Sequence, residues 1–142
     1  MATGKLTALS FGVAADDWNV LQTAHPNVLL IGSDPAVTGF LQLLLPLLQL
    51  PVAHSANGAL NLPDVPGGTL ILRDVQRLDA GAQRRISAWM SEPMRRTQVV
   101  STASCPLYPL VERKMLAEDL FYSLNVIMLA LTDPFTGSSS PA

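Results

Sequence analysis

Four short apolar runs recur along the chain: Asn27-Val-Leu-Leu-Ile-Gly32, Thr69-Leu-Ile-Leu72, Gln98-Val-Val-Ser-Thr102 and Val126-Ile-Met-Leu-Ala-Leu131. Runs this short, unbroken by polar alternation and bounded by Gly, Pro or Asn, read as strands buried on both faces. Such a strand needs a layer above it and another below. The segments between the runs carry helical periodicity, so the pattern predicts a three-layer α/β/α fold around a mostly parallel sheet. Ligands in such sheets sit beyond the carboxyl ends of the strands.

The helices are placed by their caps and apolar spacing. Asp16 or Asp17 is expected to cap a helix through Trp18, Val20 and Leu21 that stops near Pro26. Ser33-Asp34-Pro35 supplies N-cap chemistry for a Leu-rich helix from Ala36 to Leu48, bent or ended around Pro46. Asp79 reads as the N-cap of a helix with Ala82, Ile86, Trp89 and Met90 on its apolar face. Leu110–Leu124 reads as mostly helix. Residues 51–68, with Pro63, Pro66, Gly67, Gly68 and an Asn57-Gly58 pair, read as mostly loop, with a short strand over residues 51–54. Three segments are expected: a poorly defined start over residues 1–15, one domain over 16–131, and a frayed tail over 132–142.

Composition narrows the function classes. A chain of 142 residues suits one domain, and its 49% hydrophobic and 14% charged content argues against extensive disorder. A net charge of −2 does not suit a dedicated nucleic-acid binder. The single Cys105 excludes an intrachain disulfide and a cysteine-rich zinc site. The longest apolar run, Phe40–Leu50, has 11 residues, where a membrane span needs ~20. The start shows no signal-peptide pattern. A cytoplasmic location is expected.

The turn after the first strand, Gly32-Ser-Asp-Pro-Ala-Val-Thr-Gly39, stands where an α/β nucleotide binder keeps its phosphate loop. Gly32 matches the first glycine of that motif, but Val37 and Thr38 occupy the places of the second glycine and the lysine. Asp34 adds a negative charge and Pro35 removes an N–H donor. Gly67-Gly-Thr-Leu-Ile-Leu-Arg-Asp-Val75, Leu78 with Ala82-Gln83, and Glu118-Asp-Leu-Phe-Tyr-Ser-Leu-Asn-Val126 resemble the central AAA+ domain of bacterial enhancer-binding proteins, which activate the sigma-54 form of RNA polymerase. The resemblance covers residues 16–131. It implies a P-loop AAA+ fold, and an incomplete catalytic set.

Within that resemblance, Thr38 stands for the Walker A lysine, Arg73 for the Walker B aspartate and Asp74 for the catalytic glutamate. Ser104 falls near the sensor asparagine, and Ala117 and Ser123 match the two arginine-finger positions. The stretch from Leu50 to Gly67 has no room for the family's sigma-contacting loop, and nothing after residue 131 suits a helical lid. Phosphoryl transfer depends on these charges and their positioning. The resemblance therefore implies a non-catalytic domain acting through a protein partner in transcriptional or signalling control, with no cofactor and no metal. It would be a monomer or small homo-oligomer.

The Leu41–Leu50 helix and the basic cluster of Arg84, Arg85, Arg95 and Arg96 are its candidate contact surfaces. The candidate site residues are Gly32, Ser33, Asp34, Thr38, Gly39, Arg73 and Asp74, with Arg73 expected either there or paired with Asp74 or Asp79 on the surface. His25, His54 and Cys105 lack ligand or nucleophile partners in sequence. Two alternatives remain. One is a nucleotide sensor without hydrolysis. The other is a receiver-like phosphorylation switch centred on Asp74, suggested by the similarity of Val28–Val37 and Ala56–Leu60 to pieces of response-regulator receivers.

Overall fold

The computed structural model describes residues 6–55 and 60–135. Five strands form one parallel sheet: β1 (Val28–Ile31), β2 (Val52–Ser55), β3 (Thr69–Leu72), β4 (Gln98–Ala103) and β5 (Ile127–Ala130). Their order across the sheet is β2-β3-β4-β1-β5. The central strands β1, β3 and β4 are the most completely buried, and each is covered on both faces. Alternation along β1 sends Val28 and Leu30 to one face and Leu29 to the other.

The first face is covered by α1 (Ala15–Thr23) and α2 (Asp34–Leu44), whose Leu21, Phe40 and Leu44 pack on Val28, Leu30, Ile71, Val100 and Leu129. The second is covered by α3 (Ala80–Met90), α4 (Tyr108–Glu112) and α5 (Glu118–Leu124), with Ile86, Trp89, Leu120 and Leu124 over Leu29, Leu70, Leu72 and Val99. The expected three-layer α/β/α arrangement is present. Ser33 caps α2 by accepting from the Ala36 N–H at 3.2 Å, and Asp79 caps α3 through the Ala82 N–H at 2.8 Å. The chain leaves α-helical geometry at Leu45–Leu47, a 3-10 turn around Pro46.

Several expectations are corrected. The N-cap of α1 is Ala14, and Asp16 and Asp17 lie inside its first turn, where a carboxylate still favours the positive end of the helix dipole. Leu110–Leu124 is not one helix. Lys114 takes a left-handed φ of 61° and separates α4 from α5, because an L-residue in that conformation cannot continue a right-handed helix. The segment 1–15 is better defined than expected from Ala8 onward: a 3-10 turn at Ala8–Phe11 buries Phe11 completely and Val13 almost so. The Thr132 N–H donates to Phe11 O at 2.9 Å, and the Phe135 ring meets Phe11 edge-on at 6.1 Å. The Asn57-Gly58 turn, the receiver-like stretch from Ala56 and the Gly-Ser-Ser-Ser-Pro tail lie wholly or mostly outside the described residues.

Strand order decides the receiver alternative. Receivers have the order 2-1-3-4-5, with β1 between β2 and β3. Here β1 lies between β4 and β5, so the receiver architecture is excluded, and with it a phosphoacceptor role for Asp74 by that analogy.

Candidate functional site

From β1 the chain crosses to β2 on one side of the sheet, and from β4 it crosses to β5 on the other. The reversal opens a crevice at the carboxyl ends of β1 and β4, the place where open α/β sheets bind ligands. Gly32, Asp34, Val37, Arg73, Asp74, Thr102, Ala103 and Ser104 line it. Of the candidate residues, Gly32, Asp34, Arg73 and Asp74 line this one crevice.

What fills the crevice is a side chain of the protein itself. Arg73 leaves the end of β3 and directs Nη2 to Asp34 Oδ1 at 3.1 Å and to Thr38 Oγ1 at 3.4 Å. Its partner is thus Asp34 of α2, not Asp74 or Asp79. Asp34 stays 82% exposed, so solvent screens the pair and its net contribution to stability is small. Arg73 Nε is buried without a partner. The free volume left is about 10 Å³, room for one water and no more.

The neighbouring groups are held by their own bonds. Asp74 takes a left-handed φ of 58°, stabilised by its N–H donating to Thr102 Oγ1 on β4 at 3.0 Å. Ser104 Oγ accepts from Gln76 Nε2 at 3.0 Å. Ser33 Oγ, besides capping α2, donates to Asp133 Oδ2 at 3.0 Å. Two glycines of the loop have a packing reason to be glycine. A Cβ on Gly39 would stand 2.9 Å from the Phe135 ring and 3.0 Å from that of Phe11, and one on Gly32 would stand 3.1 Å from Leu131 Cβ.

The two positions matched to arginine fingers are both exposed, and each is held by a hydrogen bond. Ala117 is the N-cap of α5, and its N–H donates to Gln83 Oε1 at 2.8 Å. Gln83 is buried on α3, with Nε2 donating to Leu78 O at 3.0 Å and Met115 O at 2.9 Å. One side chain thus ties α3 to the link between α4 and α5. Ser123 Oγ donates back to Asp119 O at 2.9 Å within its own helix. Sequence reasoning missed the part Gln83 plays. Its signal was a lone glutamine within the apolar stripe formed by Ala82, Ile86, Trp89 and Met90.

The four arginines do not make one surface. Arg84 and Arg85 are exposed on α3, and Arg84 lines an open cleft of about 390 Å³ with Lys114 and Asp119. Arg95 turns inward, with its side chain only 9% exposed. It stacks over Trp89 at 4.5 Å, pairs with Glu92 and donates to Pro63 O at 2.9 Å. Arg96 lines a different cleft. The Leu-rich stretch divides likewise: Leu41, Leu44 and Leu48 are core, while Leu45, Leu47 and Leu50 face out. His54 is exposed on β2, and Cys105 is partly buried just after β4. Among the described residues, no group of three or more His, Cys, Asp or Glu is placed to hold a metal ion, and no helix is long and apolar enough to cross a membrane.

No protein-family model matches the chain, and no curated protein matches it. Solved structures do. NtrX from Brucella abortus in complex with ATP is similar at a TM-score of 0.64 and 13% identity, over 80% of this chain and 33% of that one. Another NtrX structure gives 0.63 and 13% over 93% of this chain and 37% of that one. The P-loop NTPase domain of the sigma-54 transport activator from E. coli gives 0.54 and 19% over 73% of this chain and 94% of that one. The chain thus spans about a third of NtrX. These likenesses are of fold: the chain shares the P-loop NTPase fold of those structures.

Proposed function

We propose that this AAA+-fold chain is a non-catalytic regulatory domain, acting through protein contacts in transcriptional or signalling control. The observation that carries the reading is Arg73 lying across the crevice to Asp34 and Thr38. Phosphoryl transfer in a P-loop site needs a lysine on the phosphates, Mg²⁺ held by an aspartate, and a group that orients the attacking water. At the first position stands a threonine hydroxyl, and at the second a guanidinium that repels Mg²⁺. At the third is Asp74, whose backbone is fixed to β4. Ala117 and Ser123 offer no charge to a neighbouring subunit's nucleotide. A ring built on that contact loses its electrostatic basis, so assembly rests on other surfaces. The outward Leu45, Leu47 and Leu50 supply an apolar one, and Arg84 and Arg85 a cationic one.

The test combines phosphate release, calorimetry and sedimentation of the whole chain with and without Mg·ATP. Background phosphate release, no binding, and a monomer or small oligomer indifferent to ATP are expected. Phosphate release at saturating Mg·ATP that disappears in Asp74→Ala, or a nucleotide-dependent hexamer, refutes the reading. Submillimolar binding without turnover moves the assignment to a nucleotide sensor. A ligand at 100 times its dissociation constant stabilises a fold by ~2.7 kcal/mol, so a thermal shift detects such binding readily.

A further inference from the structure

At the opposite end of the sheet, where β1 and β4 begin, lies a second cleft of about 470 Å³. It is larger than the closed crevice and its lining is different in kind. Thr23, His25 and Asn27 come from the passage between α1 and β1, Gln49 from the approach to β2, and Arg96 and Gln98 from the approach to β4.

Most polar groups around this cleft are already committed. Thr23 Oγ1 donates to Asn19 O at 2.9 Å. Asn27 spends Oδ1 on the Val99 N–H at 2.8 Å and Nδ2 on Ser123 O at 3.1 Å. Thr97 Oγ1 is bonded to Gly67 O at 3.0 Å. Three groups are not committed. Gln98 is 4% exposed, and its Nε2 donates to Pro26 O at 2.7 Å, which fixes its amide orientation. That leaves Oε1 as a buried acceptor with no partner. His25 Nδ1 is also buried and unpartnered. The Arg96 side chain has no carboxylate partner among the described residues.

A buried amide oxygen without a partner costs roughly 1–3 kcal/mol unless something from solution satisfies it. One buried amide oxygen and one buried imidazole nitrogen, on residues that line the same cleft as Arg96, specify a complementary solute. It carries an N–H donor for Gln98 Oε1 and an anionic group for Arg96, and His25 Nδ1 serves as donor or acceptor according to its tautomer. The lining offers little to a purely apolar ligand, and a simple anion leaves Gln98 unsatisfied. We propose that this cleft binds a small amphoteric molecule of the amino-acid class, with its carboxylate on Arg96 and its amino group on Gln98 Oε1. Gln49 and Arg96 are exposed at this cleft, and because Gln98 Oε1 and His25 Nδ1 are buried, the solute reaches them through rotamer changes of the lining side chains.

Arg96 provides a clean variant. It holds a left-handed φ of 50°, so Arg96→Gly relaxes the backbone while removing the anion contact. Backbone amide NMR shifts of the whole chain are followed against each common L-amino acid at about 10 mM, with acetate and methylammonium as single-group controls. Saturable shifts at Ala24, Asn27, Gln49 and Thr97 for at least one amino acid are expected, weakened at least about tenfold in Arg96→Gly. The proposal is overturned by no shifts with any amino acid, by equal response to acetate, or by binding that survives Arg96→Gly unchanged. Because the readout lies at the far end of the sheet from Arg73, its failure leaves the proposed function untouched.

Discussion

Replacing Gln83 by leucine separates the packing of α3 from its hydrogen bonding. Leucine has nearly the same reach and volume, so the apolar contacts around Ile86 and Trp89 are kept. What is lost are the bonds to Leu78 O, Met115 O and the Ala117 N–H. The Ala117 N–H heads α5 and is left facing a methyl group, which costs about 1–3 kcal/mol. Carbonyls tolerate under-satisfaction better than N–H groups, and the exposed Met115 can turn its carbonyl toward water. Together the three losses, less the gain from burying an apolar group, amount to about 2–3 kcal/mol. For a chain of this size that lowers Tm by roughly 6–15 °C. Urea unfolding followed by tryptophan fluorescence measures it directly, with m unchanged if the folded architecture is preserved. Hydrogen exchange adds the local signature, faster exchange at Ala117 and the first turn of α5. A loss below about 1 kcal/mol with unchanged exchange at Ala117 would falsify the claim that this side chain holds α3 to α5.

Arg73→Ala opens the crevice while altering stability by less than about 1 kcal/mol in chemical unfolding, because its ion-pair partner is exposed. Gly67 and Gly68 form a matched pair under thermal denaturation. Both have positive φ, 84° and 74°, but a Cβ on Gly67 meets nothing within 4 Å, whereas one on Gly68 lands 2.4 Å from Pro51 O. Gly67→Ala is therefore expected to cost about 1 kcal/mol and Gly68→Ala at least about 3 kcal/mol. Phe135→Ala, which removes the edge contact with Phe11 and the ring over Gly39, is expected to cost about 1–2 kcal/mol in urea. No effect there would mean that the segment after β5 contributes nothing to the fold.

The sheet was legible in the sequence because a strand buried on both faces is written mainly in apolar residues, as β1 and β3 are, while β4 shows its apolar signal at Val99 and Val100 and buries Gln98, Ser101 and Thr102 beside them. The helix caps at Ser33 and Asp79 were legible because a cap is a local bond spanning three residues. The misreadings share a physical cause. The break between α4 and α5 turns on Lys114 in a left-handed conformation, which a lysine does not advertise, and on Gln83 holding Met115 and Ala117 from another helix. Phe11 and Phe135 read as belonging to loose ends because the contacts that place them are distant in sequence: Phe11 is buried against Phe40 and the core of the first face, and the half-exposed Phe135 meets the Phe11 ring edge-on. The convergence of Gly32, Asp34, Thr38, Arg73 and Asp74 followed from the fold resemblance. The pairing of Arg73 with Asp34, 39 residues away, did not, since nearer carboxylates at 74 and 79 were equally plausible partners by spacing.

The Arg73–Asp34 contact has a consequence for how such a domain responds to its surroundings. An anion arriving at Arg73 from solution must displace a carboxylate that is covalently part of the same molecule. A tethered competitor of this kind acts at an effective concentration of millimolar order or above. It is never diluted. A domain whose crevice is closed by a ligand keeps a stability that rises and falls with that ligand's concentration. On the proposed reading, one closed by its own carboxylate and guanidinium responds at that crevice to ionic strength more than to a ligand's concentration.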